Sequence, residues 1–263
     1  MPNLFESSDS MCMFRVSGLP DFKKGQNLAK NIIDTLEKNN HALVQGDILV
    51  IAHKVVSKTE GAYVYLEDIT PSEEAIELAK TVNKDPRKVE VILSQSQKIV
   101  RAIKRPDQEE GILIAQHKRG YICANAAVDE SNADTPGQLI LLPEDPDQSA
   151  QDICKVLENH FSCNLGVVIS DTFGRPWRLG QTNVAIGLAN VPGVTSMDGE
   201  VDAFGRPLSV TAPAFADELA GASGLLMEKS AKAPVIVFRG LDWQKTDSHS
   251  RDLIRSHNED LFR

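Results

Sequence analysis

The chain has 263 residues and a mass of 28.8 kDa, enough for one large domain or two closely joined ones. Hydrophobic residues at 41% and charged residues at 25% match ordinary globular proteins, which excludes a fibrous or largely disordered chain. A formal charge of -9 and a pI near 5.2 argue against a nucleic-acid partner, so any anionic ligand must meet a local positive source such as a metal or a few lysines.

In chain order, the start MPNLFESSDS carries an acidic residue where an export signal is basic, and it lacks an apolar stretch. Nowhere does an apolar run approach the ~20 residues of a membrane helix, so the expectation is a cytoplasmic protein with no membrane attachment. Strand-length apolar segments bounded by turn residues recur at 12–18, 47–58, 111–118, 138–143, 166–172, 183–190 and 234–240. Helices are predicted between them. Leu28, Ile32, Ile33 and Leu36 form one apolar face in 26–39; Thr70-Pro71 starts a helix with Glu73 three residues on; Asp85-Pro86 starts another; Ile153 and Leu157 mark a helix in 149–161, and 214–229 marks a last one. The order is not a regular strand-helix alternation, so the fold expected is α+β with mixed sheets. The chain reads as a single unit over 1–263, with LLPEDPDQS at 141–149 either a break between two subdomains or a loop entering a helix. The four cysteines, Cys12, Cys123, Cys154 and Cys163, show no metal or redox spacing and read as reduced, mostly buried thiols.

Generic nucleotide and hydrolase signatures are missing: no phosphate-binding GxxxxGK loop, no GxGxxG after a strand, no GxSxG elbow and no HExxH. Three local features remain. Asp171 ends the apolar run GVVIS and precedes Thr172, while Asp129 follows the apolar run from Tyr121 to Val128. A carboxylate at a strand end sits at a sheet rim, where ligands collect, although aspartate also commonly caps turns. Two hard carboxylates with a threonine oxygen would suit a magnesium ion that takes its other ligands from phosphates and water. Lys58 ends the run from Asp47; read as a strand, this run puts Lys54, Val56 and Lys58 on one side and His53, Val55 and Ser57 on the other, so the two lysines meet phosphates or simply stand in solvent. In DTFGRPWRLGQ, Arg175 and Arg178 offer a clamp for a carboxylate or phosphate, and Trp177 either stacks on a ring or fills the core.

Taken together, GLPDFKKGQNL (18–28), GDILVIAHKVVSKTEG (46–61), CANAAVDESN (123–132), SDTFGRPWRLGQTNVAIG (170–187), ADELAGASGLLM (216–227) and PVIVFRGL (234–241) make the chain resemble the coenzyme F420 γ-glutamyl ligase family from about Val16 to Leu241. The resemblance implies an irregular α+β fold with mixed sheets, an intertwined homodimer, and a ligase that adds L-glutamate, and then further γ-linked glutamates, to the deazaflavin precursor F420-0. It implies GTP as the phosphoryl donor, an acyl-phosphate intermediate, and magnesium or manganese helped by potassium. The metal ligands carry over to Asp129, Asp171 and Thr172, and the catalytic residues to Lys58, Asp129 and Asp171. Guanine-nucleotide contacts carry over to Leu19, Pro20, Asp21, Phe22, His53, Lys54, Lys58, Asn132 and the segment Met227, Glu228, Lys229, Ser230, Ala231, Lys232, Ala233, Pro234. Asp21, Ala62, Ala127 and Glu228 depart from the family pattern, Ala127 standing where a glycine is usual. The alternatives are a related carboxylate-amine ligase with another acceptor, a non-enzymatic GTP- and metal-binding regulatory protein, or a metal-dependent phosphohydrolase.

Overall fold

The computed structural model describes residues 10–131, 133–208, 210–227 and 232–260. Its strands and helices are β1 (Cys12–Arg15), α1 (Leu28–Lys38), β2 (Ile48–Ala52), α2 (His53–Glu60), β3 (Tyr63–Tyr65), α3 (Glu73–Val82), α4 (Pro86–Gln95), β4 (Ser96–Ile103), β5 (Ile112–His117), β6 (Ile122–Ala124), β7 (Gln138–Ile140), α5 (Pro146–Phe161), β8 (Gly166–Arg175), β9 (Arg178–Ala189), α6 (Phe215–Ser223) and β10 (Val235–Arg239). The fold is mixed α and β, as the irregular order of apolar segments predicts.

Ile48, Leu49, Val50 and Ile51 are all fully buried, as are Val167, Val168 and Ile169. A continuous apolar run means that both faces of the strand are covered, and the packing bears this out. These strands are the centre of a five-stranded sheet, order β1-β10-β2-β8-β9. β2 and β8 run parallel; the other neighbours are antiparallel. Leu49, Ile51, Val167 and Ile169 pack against α1 and α5 on one face, while Ile48, Val50 and Val168 pack against α6 on the other. A third cluster lies apart, where α3 and α4 cover Leu113 and Ala115 of the sheet β4-β5-β6 together with Leu139 of β7.

Local chemistry sets the helix ends. The Asn27 side chain accepts from Lys30 N at the start of α1, and Asp85 and Asp145 cap α4 and α5 ahead of Pro86 and Pro146 at the first turn. The stretch 141–149 thus leads into α5. Four expectations need correction. The helix expected from Thr70-Pro71 begins instead at Glu73, because the Ser72 hydroxyl is the cap that accepts from Ala75 N. The helix expected over 214–229 ends at Ser223. The run 47–58 is not one strand: β2 stops at Ala52 and the chain turns directly into α2, which ends at Gly61 with φ 78, a left-handed cap that glycine adopts without strain. The run Tyr121–Val128 keeps only Ile122–Ala124 as strand, because Asn125, Ala126 and Ala127 all take positive φ (53, 50 and 58). Sequence periodicity also misses β3 and β4, whose short or half-exposed stretches carry little apolar signal.

Among the described residues, no helix is long and apolar enough to cross a membrane.

Candidate functional site

β2 and β8 run parallel up to the pair Ala52 and Ser170, and at their carboxyl ends the sheet opens into a cleft of about 480 Å³. This is where α/β sheets commonly place ligands. One wall is the first turn of α2. Its N-cap is Ala52, whose methyl group cannot accept a hydrogen bond, so the first-turn N–H groups have no side-chain cap. Together with the helix dipole, that end favours anions.

The side chains of this turn diverge in a useful way. His53 is 2% exposed; its Nδ1 lies 3.3 Å from Ser57 Oγ and its Nε2 lies 3.1 Å from Asp171 Oδ1, although that second contact falls outside hydrogen-bond geometry. Lys54 reaches the opposite way and places Nζ 2.6 Å from Asp129 Oδ2, with Ser131 Oγ as a further acceptor. Lys58 stands one helical turn on, on the face of Lys54, and donates to Asp134 Oδ1 at 2.5 Å. The two lysines do share a side, as the strand reading requires, but through the i,i+4 spacing of a helix.

Asp129 is presented by the left-handed turns at 125–127 and held by a two-way bridge, its N–H donating to Ile140 O at 3.0 Å and its carbonyl accepting from Ile140 N at 2.8 Å. Burial alone would raise its pKa. The hydrogen bonds from Lys54 and from Ser131 N and Oγ, with the charge of Lys54, outweigh burial and hold the carboxyl below its ordinary value. Asp129 touches the cleft only through Lys54, whereas Asp171 and Thr172 line it directly. Asp171 Oδ1 accepts from Thr172 N at 2.6 Å, and Thr172 Oγ1 donates to Asn183 Oδ1 at 2.8 Å.

The remaining lining comes from the loop after β1, Leu19 to Phe22, and from Lys232, Ala233 and Pro234 before β10. Lys232 Nζ lies 3.1 Å from Asp21 Oδ2, tying the two segments together across the opening. Met227 also lines the cleft. The structure therefore gathers Leu19, Pro20, Asp21, Phe22, His53, Lys54, Lys58, Asp171, Thr172, Met227, Lys232, Ala233 and Pro234 around one space. Asn132, Glu228, Lys229, Ser230 and Ala231 lie outside the described residues. Sequence reasoning misses Ser170, Asn183, Ser131 and Asp134. Asn183 is Thr172's pairing partner in the β8–β9 register, a relation that a sequence yields only once the hairpin register is known.

Trp177 and Leu179 sit at the far end of the β8–β9 hairpin, 79% and 99% exposed, so the core reading of Trp177 is wrong. A positive φ of 57 at Trp177 closes the hairpin.

Fold and cleft define a class: an α+β protein with a lysine- and aspartate-walled cleft, at the carboxyl ends of parallel strands, suited to phosphate-bearing ligands. Within that class the chain belongs to the F420-0:gamma-glutamyl ligase family, whose profile matches residues 18–240. It is 43% identical over 246 residues to the coenzyme F420:L-glutamate ligase of Methanopyrus kandleri, covering 92% of this chain and 93% of that one. The protein of the same name from Methanothermobacter thermautotrophicus is 39% identical over 251 residues, covering 94% and 97%. That from Methanocaldococcus jannaschii is 40% identical over 246 residues, covering 93% and 94%.

Among the described residues, no three His, Cys, Asp or Glu side chains form a metal cage. Magnesium does not require one, since it typically takes one or two carboxylates and completes its shell with phosphate oxygens and water. Asp171 and the Thr172 hydroxyl, both facing the cleft, fit such an ion. The Asp129 carboxylate is instead held by Lys54 and Ser131.

Proposed function

We propose that this protein joins L-glutamate to the deazaflavin coenzyme precursor F420-0 at the expense of GTP, as a homodimer, adding further γ-linked glutamates in later turns. The observation that carries the reading is the convergence of Lys54, Lys58 and Lys232 with Asp171 and Thr172 around the uncapped first turn of α2. Cationic side chains and free N–H groups on one side, with oxygen ligands on the other, are what a nucleotide triphosphate and its counter-ion need. The names of the relatives supply the reaction.

An amide does not form from a carboxylate at neutral pH without a better leaving group. A carboxylate oxygen of the acceptor attacks the γ-phosphorus and the bond to the β-phosphate oxygen breaks, giving an acyl phosphate and GDP. The amine of glutamate then attacks the acyl carbon, loses a proton, and phosphate leaves. Phosphoryl transfer of this kind depends on positioning and charge neutralisation. Lys58 and Lys54 hold the phosphates with fixed positive charge, and the α2 first turn orients them through backbone N–H groups. Asn183 turns the Thr172 hydroxyl so that its lone pairs are open to the cleft. Asp171, Thr172 and Asp129 would hold magnesium or manganese, with potassium as a helper, and the ion supplies neutralisation of the phosphate oxygens.

Incubation with F420-0, glutamate, GTP and magnesium, read by mass spectrometry, tests this. The expected product gains one or more glutamyl units only when GTP is present, and GDP appears in step with it. GDP release without an amide product would show a phosphohydrolase; nucleotide binding with neither product would show a regulatory protein.

A further inference from the structure

Five serines are buried among the described residues, and four of their hydroxyls have partners. Ser57 Oγ lies by His53, Ser149 Oγ donates to Glu60 at 2.6 Å, Ser223 Oγ donates to Ala220 O at 2.7 Å, and Ser250 Oγ donates to Asp147 at 2.9 Å. Ser170 is the exception: 2% exposed, its Oγ has no hydrogen-bond partner. A buried polar group left unpaired is costly, and native structures rarely keep one without a reason.

Its position gives the reason. Ser170 lines the cleft and pairs in register with Ala52, the uncapped N-cap of α2. The pairing of β8 with β9 shifts at this residue, from Ile169 opposite Gly187 to Ser170 opposite Ala185, and a bulge of this kind re-aims the side chains beside it. Asp171 follows directly, and Lys54 and Lys58 face the same space. An unpaired hydroxyl and a helix N-terminus without a side-chain cap thus line one cleft, together with Lys54, Lys58 and Asp171.

We propose that the Ser170 hydroxyl donates a hydrogen bond to a phosphoryl oxygen of the bound ligand, sharing that oxyanion with the first-turn N–H groups of α2. Ser170 is therefore a ligand contact on the chain itself, absent from the residues that the family resemblance carries over. The inference rests on the reading of this cleft as a phosphate site and adds a residue to it. Among the described residues no protein group pairs with this hydroxyl, so a ligand oxygen can.

The test compares wild type with Ser170→Ala, measuring displacement of a fluorescent GDP analogue by GDP, by inorganic pyrophosphate and by guanosine, with magnesium present. GDP and pyrophosphate are expected to bind about tenfold more weakly to the variant, the scale of a hydrogen bond to a charged group. Guanosine, which has no phosphate, keeps its affinity. The melting temperature of the ligand-free variant stays level or rises, since an unsatisfied hydroxyl has been removed. Phosphate-bearing ligands that bind within twofold of wild type overturn the proposal, and so does an equal loss for guanosine. Should Ser170→Ala fail to fold, Ser170→Cys, close in volume but a weak donor, decides by the same readings. Wild-type protein that binds no GDP analogue would refute the guanine-nucleotide reading; calorimetric titration of wild type and Ser170→Ala with pyrophosphate then decides the Ser170 proposal by the same tenfold and twofold limits.

Discussion

Lys54 and Asp129 form an ion pair of 2.6 Å between the first turn of α2 and a loop beyond β6. His53, the residue before Lys54, lies 3.1 Å from Asp171. One dipeptide thus touches both aspartates and draws two distant stretches of chain to the same helix end. Replacing either carboxylate by its amide keeps the shape and removes the charge. Asp129→Asn and Asp171→Asn are expected to lower glutamyl transfer by about a hundredfold or more. Far-ultraviolet circular dichroism should remain that of wild type. Transfer within threefold of wild type, with magnesium in excess, would remove that residue from the site.

Lys58 makes a different contribution. Its ammonium is largely covered and pairs with Asp134, at the border of the cleft rather than in the core. Lys58→Ala should raise the KM for GTP about tenfold or more with a smaller effect on the KM for glutamate. Stability should change by less than about 1 kcal/mol, as for a partly solvated pair. An unchanged KM for GTP would leave Lys58 a structural partner of Asp134 alone.

The pairing of Lys54 with Lys58 survives although the strand periodicity behind it fails, because residues four apart share a face in a helix as well as, at even spacing, in a strand. The helix itself is hard to read, since Val55 and Val56 are β-branched and continue the apolar run of β2. Asp129 is recognisable as polar after apolar, but its presentation depends on three left-handed residues without a glycine among them, which no local rule anticipates. Asp134 and Ser131 meet Lys58 and Lys54 only through the packing of the third cluster's lobe against α2, and that information is tertiary.

The strain of the left-handed turn at 125–127 is testable at Ala127. It holds φ 58 at a buried position, a conformation costly for a residue with a Cβ. Ala127→Gly relieves that cost, about 1 kcal/mol, partly offset by the greater freedom of glycine in the unfolded chain. The variant is expected to melt at the wild-type temperature or up to a few degrees above it, with transfer activity retained. A clear loss of stability in urea titration would show that the left-handed turn is not strained at Ala127.

A buried lysine joins the lobe of α3 and α4 to the loop carrying Asp129. Lys88 Nζ lies 2.9 Å from Glu130 and 3.3 Å from Glu110, which also accepts from Lys84 at 2.6 Å. Burial opposes the charge of Lys88, yet Glu130 and Glu110 outweigh it and hold its pKa above the ordinary lysine value. Burial likewise works against Glu110, but Lys84 and Lys88 hold its pKa below the ordinary glutamate value. A raised lysine stabilises fully below its unfolded pKa of 10.5 and loses that contribution as pH climbs through the higher folded value. A depressed glutamate stabilises above 4.5 and loses it as pH falls through the lower folded value. Lys88→Met should therefore cost about 1 to 3 kcal/mol at pH 7, discounted for the half-exposed carboxylates. The cost should shrink at acid pH, as the pH falls through the depressed folded value of Glu110 and that carboxyl takes up its proton. Urea midpoints at pH 7 and at acid pH measure it, and an equal cost at both would assign the loss to packing.

The thiols follow from burial in the same way. Burial pushes Cys123 and Cys154 up to about 12, while Cys12 and Cys163 are half-buried. A thiol with that pKa is almost wholly protonated at pH 8 and is a poor nucleophile. Native protein treated with a disulfide reagent at pH 8 should release at most two equivalents quickly, and four after denaturation. Four rapid equivalents from folded protein would contradict the burial of Cys123 and Cys154.

The proposed homodimer has its clearest support at the β8–β9 hairpin. β8 begins in the core, passes Asp171 and Thr172 at the cleft, and then carries Trp177 and Leu179 out to a tip where they are 79% and 99% exposed. Phe204 and Val210, 84% and 91% exposed, add further large apolar surface in the segment after β9. Monomers seldom leave this much apolar surface in water. A second copy, offering the same surface in return, satisfies the symmetry that most soluble oligomers obey. Light scattering on eluting protein should give twice the 28.8 kDa of the chain. Leu179→Lys combined with Phe204→Lys should shift that mass toward the single chain without changing the circular dichroism. A wild-type mass of one chain at micromolar concentration would sink the dimer, and a double variant that keeps the doubled mass would move the interface away from the hairpin.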